Sequence, residues 1–107
     1  MKILFDNSVP WGISRFLKGH TVYSAKKMGW ATLENGHLLT AAEAGGFDVL
    51  ITSDQNLPYQ QSFTTRRIAV LILSTNHWPT IELVVARVSS VIDFLQPSQV
   101  VRLEIKE

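Results

Sequence analysis

The sequence predicts a three-layer α/β/α domain on a mainly parallel sheet of four to five strands. Short β-rich runs alternate with helix-period segments, the pattern that winds helices onto both faces of a parallel sheet. Residues 47–52 carry apolar side chains on both faces and 68–73 are apolar without alternation, as strands covered on both faces must be. At 107 residues the chain is long enough for one core and too short for two, so a single domain over residues 1–107 is expected.

Residues 2–5 form a β run that ends on Asp6. Val9-Pro10 opens a helical stretch, because a residue without an N–H is tolerated only in the first turn. Ile13, Phe16 and Leu17 follow at the spacing of one helix face, and Gly19 ends the segment. His20-Thr-Val-Tyr-Ser24 is rich in β formers and reads as a second strand. Residues 25–36, punctuated by Gly29 and Gly36, read as a loop with at most one irregular turn.

Residues 37–44 are good helix formers, and Gly45-Gly46 supplies the C-terminal stop. The third strand, residues 47–52, runs into Ser53-Asp54, and residues 55–65 are polar and irregular. The fourth strand, residues 68–73, is the most hydrophobic. Pro79 opens a last long helix with Ile81, Val84, Val85, Val88, Ile92 and Leu95 along one stripe, and Pro97 ends it. That stripe reads as core, with part of it a candidate homodimer surface. Residues 100–105 alternate through Val101, Leu103 and Ile105, which suits a strand at the sheet edge.

Lys and Arg number 10 against 9 Asp and Glu, a net charge of +1, which excludes nucleic-acid binding by bulk charge and leaves only local contacts to RNA. A hydrophobic content of 46% excludes a disordered chain. With no cysteine there is no disulfide framework, thiolate zinc site or cysteine nucleophile. The longest apolar run is far below the ~20 residues of a membrane span. The apolar stretch between Lys2 and Asp6 is also too short for a signal peptide. The expectation is a cytoplasmic protein without a membrane partner.

In an open parallel sheet, ligands gather beyond the carboxyl ends of the strands, where the winding direction reverses. Asp6 follows the first strand and Asp54 the third. If those strands are neighbours, spaced roughly 5 Å apart, both carboxylates stand at one mouth. Two carboxylates in one cleft repel, so one takes a proton or a cation neutralises both. Hard oxygen ligands suit Mg²⁺ or Mn²⁺. The same residues also have local uses: Asp6-Asn7-Ser8 precedes a helix as a cap or Asx-turn, and Asp54-Gln55-Asn56 fits an ordinary turn.

The ordered segments Leu4-Phe5-Asp6-Asn7-Ser8-Val9-Pro10, Gly29-Trp30-Ala31, Asn35-Gly36-His37-Leu38-Leu39 and 47–57 resemble short PIN-like proteins. Tyr59-Gln60-Gln61, Arg66-Arg67 and Asn76-His77-Trp78-Pro79 extend the resemblance to about residue 95. It implies an α/β/α PIN-like fold and a divalent-metal-dependent ribonuclease, often the toxin half of a toxin–antitoxin pair whose partner is an antitoxin protein. Asp6 and Asp54 match metal-binding acids of the family. His37 stands where the family usually has a glutamate, and Asn56 where it often has another aspartate.

The expected metal set is therefore Asp6, Asp54 and His37, with Mg²⁺ or Mn²⁺ as cofactor and Asn56, Glu34 and Asn7 as auxiliary groups. Histidine beside two aspartates leans toward Mn²⁺. His37 equally suits a solvent-facing residue at a helix start, and Asn56 a turn. Arg66, Arg67 and Tyr59 are candidate RNA contacts through guanidinium forks and stacking, with ordinary surface pairing and loop packing as their other uses.

Overall fold

A computed structural model describes residues 1–60, 62 and 65–106. Its strands are β1 (Lys2–Phe5), β2 (Thr21–Ser24), β3 (Val49–Thr52), β4 (Ala69–Leu73) and β5 (Val100–Leu103). All pair in parallel, in the order β2-β1-β3-β4-β5. The central β3 and β4 are buried along their whole length, whereas the edges β2 and β5 keep partly exposed residues. A strand covered on both faces can carry no polar side, and this is why the two apolar runs occupy the middle.

Successive side chains of each strand enter opposite layers. Ile3, Phe5, Val49, Ile51, Leu71 and Leu73 pack beneath a 3-10 helix (Trp11–Phe16), α3 (Trp78–Glu82) and α4 (Val85–Phe94). Leu4, Leu50, Val70 and Ile72 pack beneath α1 (Asn35–Ala44) and the single turn α2 (Leu57–Gln60). The expected three-layer α/β fold is thus present, with β5 at an edge. Among the described residues no helix is long and apolar enough to cross a membrane.

The structure corrects four local expectations. The segment after Pro10 is a 3-10 helix with Pro10 at its N-cap; it spans only 6 residues and includes Gly12, too short and too poor in helix formers to settle as α. Helix α1 begins at Asn35, earlier than His37, and Gly45 caps it. The irregular region after Gln55 contains the turn α2.

The last long helix is broken: Val84 leaves the helical region at φ −128°, between α3 and α4. Its β-branched side chain is crowded in a helix, and the adjacent Leu83 stands in solvent. Ile81, Val85, Val88, Ile92 and Leu95 are buried in the core and Val84 packs partly against them.

Candidate functional site

Strand β1 lies beside β3 with Phe5 opposite Ile51, and the Asp6 N–H donates to the Ile51 carbonyl at 3.1 Å. The register sets Asp6 across from Thr52, one residue beyond the strand. Asp6 and Asp54, both half-buried, open into one cleft of about 240 Å³ whose lining includes Asn7, Ser8, Asn35 and Ser53. This mouth sits at the carboxyl ends of β1 and β3, the switch point of an open sheet in this strand order.

Thr52 joins the two acids. Only 1% exposed, its hydroxyl donates to Asp6 Oδ2 and accepts the Asp54 N–H at 3.1 Å. A buried hydroxyl needs such partners, since leaving it unpaired costs more than the hydrogen bond contributes. Asp6 Oδ1 accepts the Ser8 N–H at 2.9 Å and the Ser8 hydroxyl at 2.6 Å, an Asx-turn that also opens the path to Pro10. The Ser8 Oγ in turn accepts from the Ser53 N–H at 3.3 Å and the Ser53 hydroxyl at 2.7 Å.

Asp54 repeats the arrangement: Oδ1 accepts the Asn56 N–H at 2.9 Å, and Oδ2 accepts the Asn35 side-chain amide at 2.7 Å. Behind it, the Gln55 amide donates to Ser53 O at 2.8 Å and Leu73 O at 2.6 Å, while its oxygen accepts Arg102 Nε at 2.8 Å. Gln55 therefore ties together the carboxyl ends of β3 and β4 and the side chain of β5.

Each aspartate closes a local turn, and each lines the shared cleft. A carboxylate has about four acceptor sites. Among the described residues Asp6 uses three of them and Asp54 two. The sites that remain are carboxylate oxygens, the ligand type that Mg²⁺ and Mn²⁺ take.

Other expected members stand elsewhere. His37 is exposed on α1, because Leu38, Leu39 and Ala42 form the helix face turned to the sheet and position 37 falls outside it. Among the described residues no group of three or more acidic or histidine side chains is placed to hold a metal ion, so the set of His37 with two aspartates is not assembled. Glu34 is the exposed N-cap residue of α1, and the cleft is lined by its neighbour Asn35 instead. Asn56 contributes its backbone N–H. Asn7 does line the cleft, with its amide tied to the Ala31 carbonyl at 2.7 Å.

Arg66 and Arg67 lie before the amino end of β4, across the sheet from the cleft. Arg66 pairs with Glu43 at 2.7 Å, and the Arg67 N–H donates to the same carboxylate at 3.1 Å. They hold α1 to the strand and are not placed to contact RNA at the aspartates. The side chains of Tyr59, Gln60, Gln61 and Phe63 lie outside the described residues. Ser8, Asn35, Thr52 and Ser53 were missed because short polar residues beside acids read as turn formers. The one signal was Thr52 itself, a hydroxyl ending a strand otherwise buried on both faces.

No family model, curated protein or solved structure matches the chain. Fold and cleft together define an all-parallel α/β domain with a paired-aspartate mouth at its switch point.

Proposed function

We propose that the chain is a PIN-like, divalent-metal-dependent ribonuclease that hydrolyses phosphodiester bonds at the Asp6–Asp54 cleft. The observation that supports it is the convergence of both carboxylates, joined through the Thr52 hydroxyl, at the carboxyl ends of β1 and β3. Among the described residues no lysine or arginine lines this cleft. A phosphodiester approaching two carboxylates is repelled unless a cation compensates the charge.

Asp6 and Asp54 would hold Mg²⁺ or Mn²⁺ through the acceptor sites their hydrogen bonds leave open. The bound ion would supply Lewis acidity toward phosphoryl oxygens and an activated water. Ser8 and Thr52 keep the Asp6 carboxylate aimed into the cleft, and Asn35 and the Asn56 N–H do the same for Asp54. Asn7 and Asn35 line the same lip, their amides held by the Ala31 carbonyl and the Asp54 carboxylate.

The test is cleavage of a single-stranded RNA with Mg²⁺ or Mn²⁺ and with chelator. Asp6→Asn and Asp54→Asn are each expected to lower the rate by about 100-fold or more, the scale of losing a principal electrostatic group. Metal-independent cleavage, or cleavage indifferent to both substitutions, overturns the proposal. The resemblance extends it to the toxin half of a toxin–antitoxin pair. Expression of the wild-type chain then arrests growth and Asp6→Asn does not.

A second reading, a PIN-like binding module without catalysis, is favoured by one observation: all four carboxylate oxygens of the pair already accept protein hydrogen bonds. Calorimetric titration with Mn²⁺ separates the two. Micromolar binding reversed by chelator favours the nuclease, and absence of binding favours the module.

A further inference from the structure

We propose that the chain forms a two-fold homodimer by antiparallel pairing of β5 with β5 of a second copy, in the register that places Arg102 opposite Glu104. β5 is the last strand of the sheet and pairs only with β4 among the described residues. The carbonyls of Gln99 and Leu103 and the N–H of Ile105 are turned to β4 or the residue that follows it. Alternation then turns the N–H and C=O groups of Val100, Arg102 and Glu104 outward, where an open edge can accept a further strand.

Side-chain burial continues this alternation past the end of the strand. Leu103 and Ile105 are buried, while Arg102, Glu104 and Lys106 are exposed. Exposed charges usually guard an edge against pairing. Here their signs alternate, and within one chain Arg102 pairs with Glu104 at 2.5 Å. An antiparallel two-fold centred on Leu103 sets Arg102 against Glu104 of the second copy twice over, joining the two ion pairs into one cluster of four charges. Val100 then meets Lys106, and the outward backbone groups of 102 and 104 face one another as hydrogen-bonding pairs.

Shifting the strands to centre on Arg102 opposes arginine to arginine, and centring on Glu104 opposes glutamate to glutamate. Both are destabilising for directly opposed residues. The charges therefore disfavour both shifts and favour a self-complementary register, which is the property an isologous interface requires. An unrelated strand would have to reproduce this charge order, so a second copy is the occupant the edge specifies.

An apolar strip runs along the same edge. A groove of about 240 Å³ lies between α4 and β5, lined by Val91, Phe94, Leu95 and Val101. Phe94 is 77% exposed, the most of any large hydrophobic side chain among the described residues. Pairing at β5 brings the strip of one copy beside that of the other across the two-fold. Antiparallel pairing also sends the two aspartate clefts to opposite rims of the joined ten-stranded sheet, so the dimer leaves both mouths open.

One short strand and one phenylalanine per copy fall at the small end of specific interfaces. The dimer is accordingly concentration-dependent, with a dissociation constant expected at about 10 μM. Sedimentation equilibrium of the full chain between 1 and 300 μM (on the order of this constant and beyond) measures it.

Arg102→Glu alone and Glu104→Arg alone each turn two attractive pairs into repulsive ones and should raise the dissociation constant about tenfold or more. The double exchange Arg102→Glu with Glu104→Arg should restore the wild-type value, and Phe94→Ser should weaken association in every background. These residues are exposed, so far-UV circular dichroism should show the variants folded. A chain monomeric throughout the range overturns the proposal. So does a dimer indifferent to the single reversals, or one that the double exchange fails to restore.

Discussion

Replacing Thr52 by Val removes one hydroxyl while nearly keeping the volume, so it isolates the bridge between the two aspartates. Two hydrogen bonds are lost. The bond to the Asp6 carboxylate is of the charge-assisted kind, contributing roughly 1.5–3 kcal/mol. The second leaves the Asp54 N–H without its acceptor, for about 1 kcal/mol more, reduced where water from the cleft replaces it. Together they destabilise the fold by about 3 kcal/mol, a large share of the roughly 5–15 kcal/mol available to a domain of this kind.

Urea denaturation at neutral pH is the assay. With an m-value of about 1.5 kcal/mol/M, the midpoint should fall by about 2 M at unchanged m. Thr52→Ser keeps the hydroxyl and should recover most of the loss. A Val variant whose midpoint moves by less than about 0.3 M would refute the reasoning, because a buried bridge between two acids could not then be energetically silent.

Three further outcomes are expected. Gly12→Ala sets a Cβ 2.9 Å from Cε2 and Cζ2 of Trp78, so the ring must move; a loss of about 1–3 kcal/mol and a shifted tryptophan emission should be seen on denaturation. Gly46→Ala places a side chain at φ +79° after α1 and should lower stability by about 1–2 kcal/mol in thermal melts, with no change at the cleft. Arg66→Ala removes the pair with Glu43, half-buried and across the sheet from the aspartates. It should cost about 1 kcal/mol or less and leave RNA cleavage and Mn²⁺ binding unchanged.

The strands that carry the aspartates were legible because burial on both faces leaves its mark on composition. Ile3–Phe5 before Asp6 and Val49–Ile51 before Asp54 are apolar at every position and buried, and a run of that kind admits few other assignments. The acids at their ends were legible for the same reason, as the first charges after an apolar run.

What the sequence left hidden depended on tertiary register. Whether Asp6 meets Thr52 is decided by Phe5 pairing with Ile51, a contact across 46 residues. Whether His37 or Asn35 faces the cleft is decided by which stripe of α1 the sheet buries. Here the glutamate position suggested by the resemblance pointed to the wrong side of the helix. The break at Val84 was hidden because the apolar stripe keeps its phase across it, from Ile81 to Val85 and Val88. Periodicity reports a common face and is blind to a single non-helical residue within it.

The two aspartates are not equivalent, and the difference is measurable. Among the described residues Asp6 has three of its acceptor sites filled by Ser8 and Thr52, groups that fix the first crossover and the end of β3. Among the same residues Asp54 has two filled, one by the turn it closes and one by the Asn35 amide. Neutralising Asp6 therefore disturbs the scaffold more, and neutralising Asp54 removes more of the open acceptor capacity facing the cleft. Asp6→Asn should destabilise the fold by about 2 kcal/mol against about 1 kcal/mol for Asp54→Asn. Mn²⁺ affinity should fall further for Asp54→Asn, since a hard cation is held through the carboxylate sites still open. Equal losses of stability with a larger loss of Mn²⁺ affinity at Asp6 would reverse the assignment and make Asp6 the principal ligand.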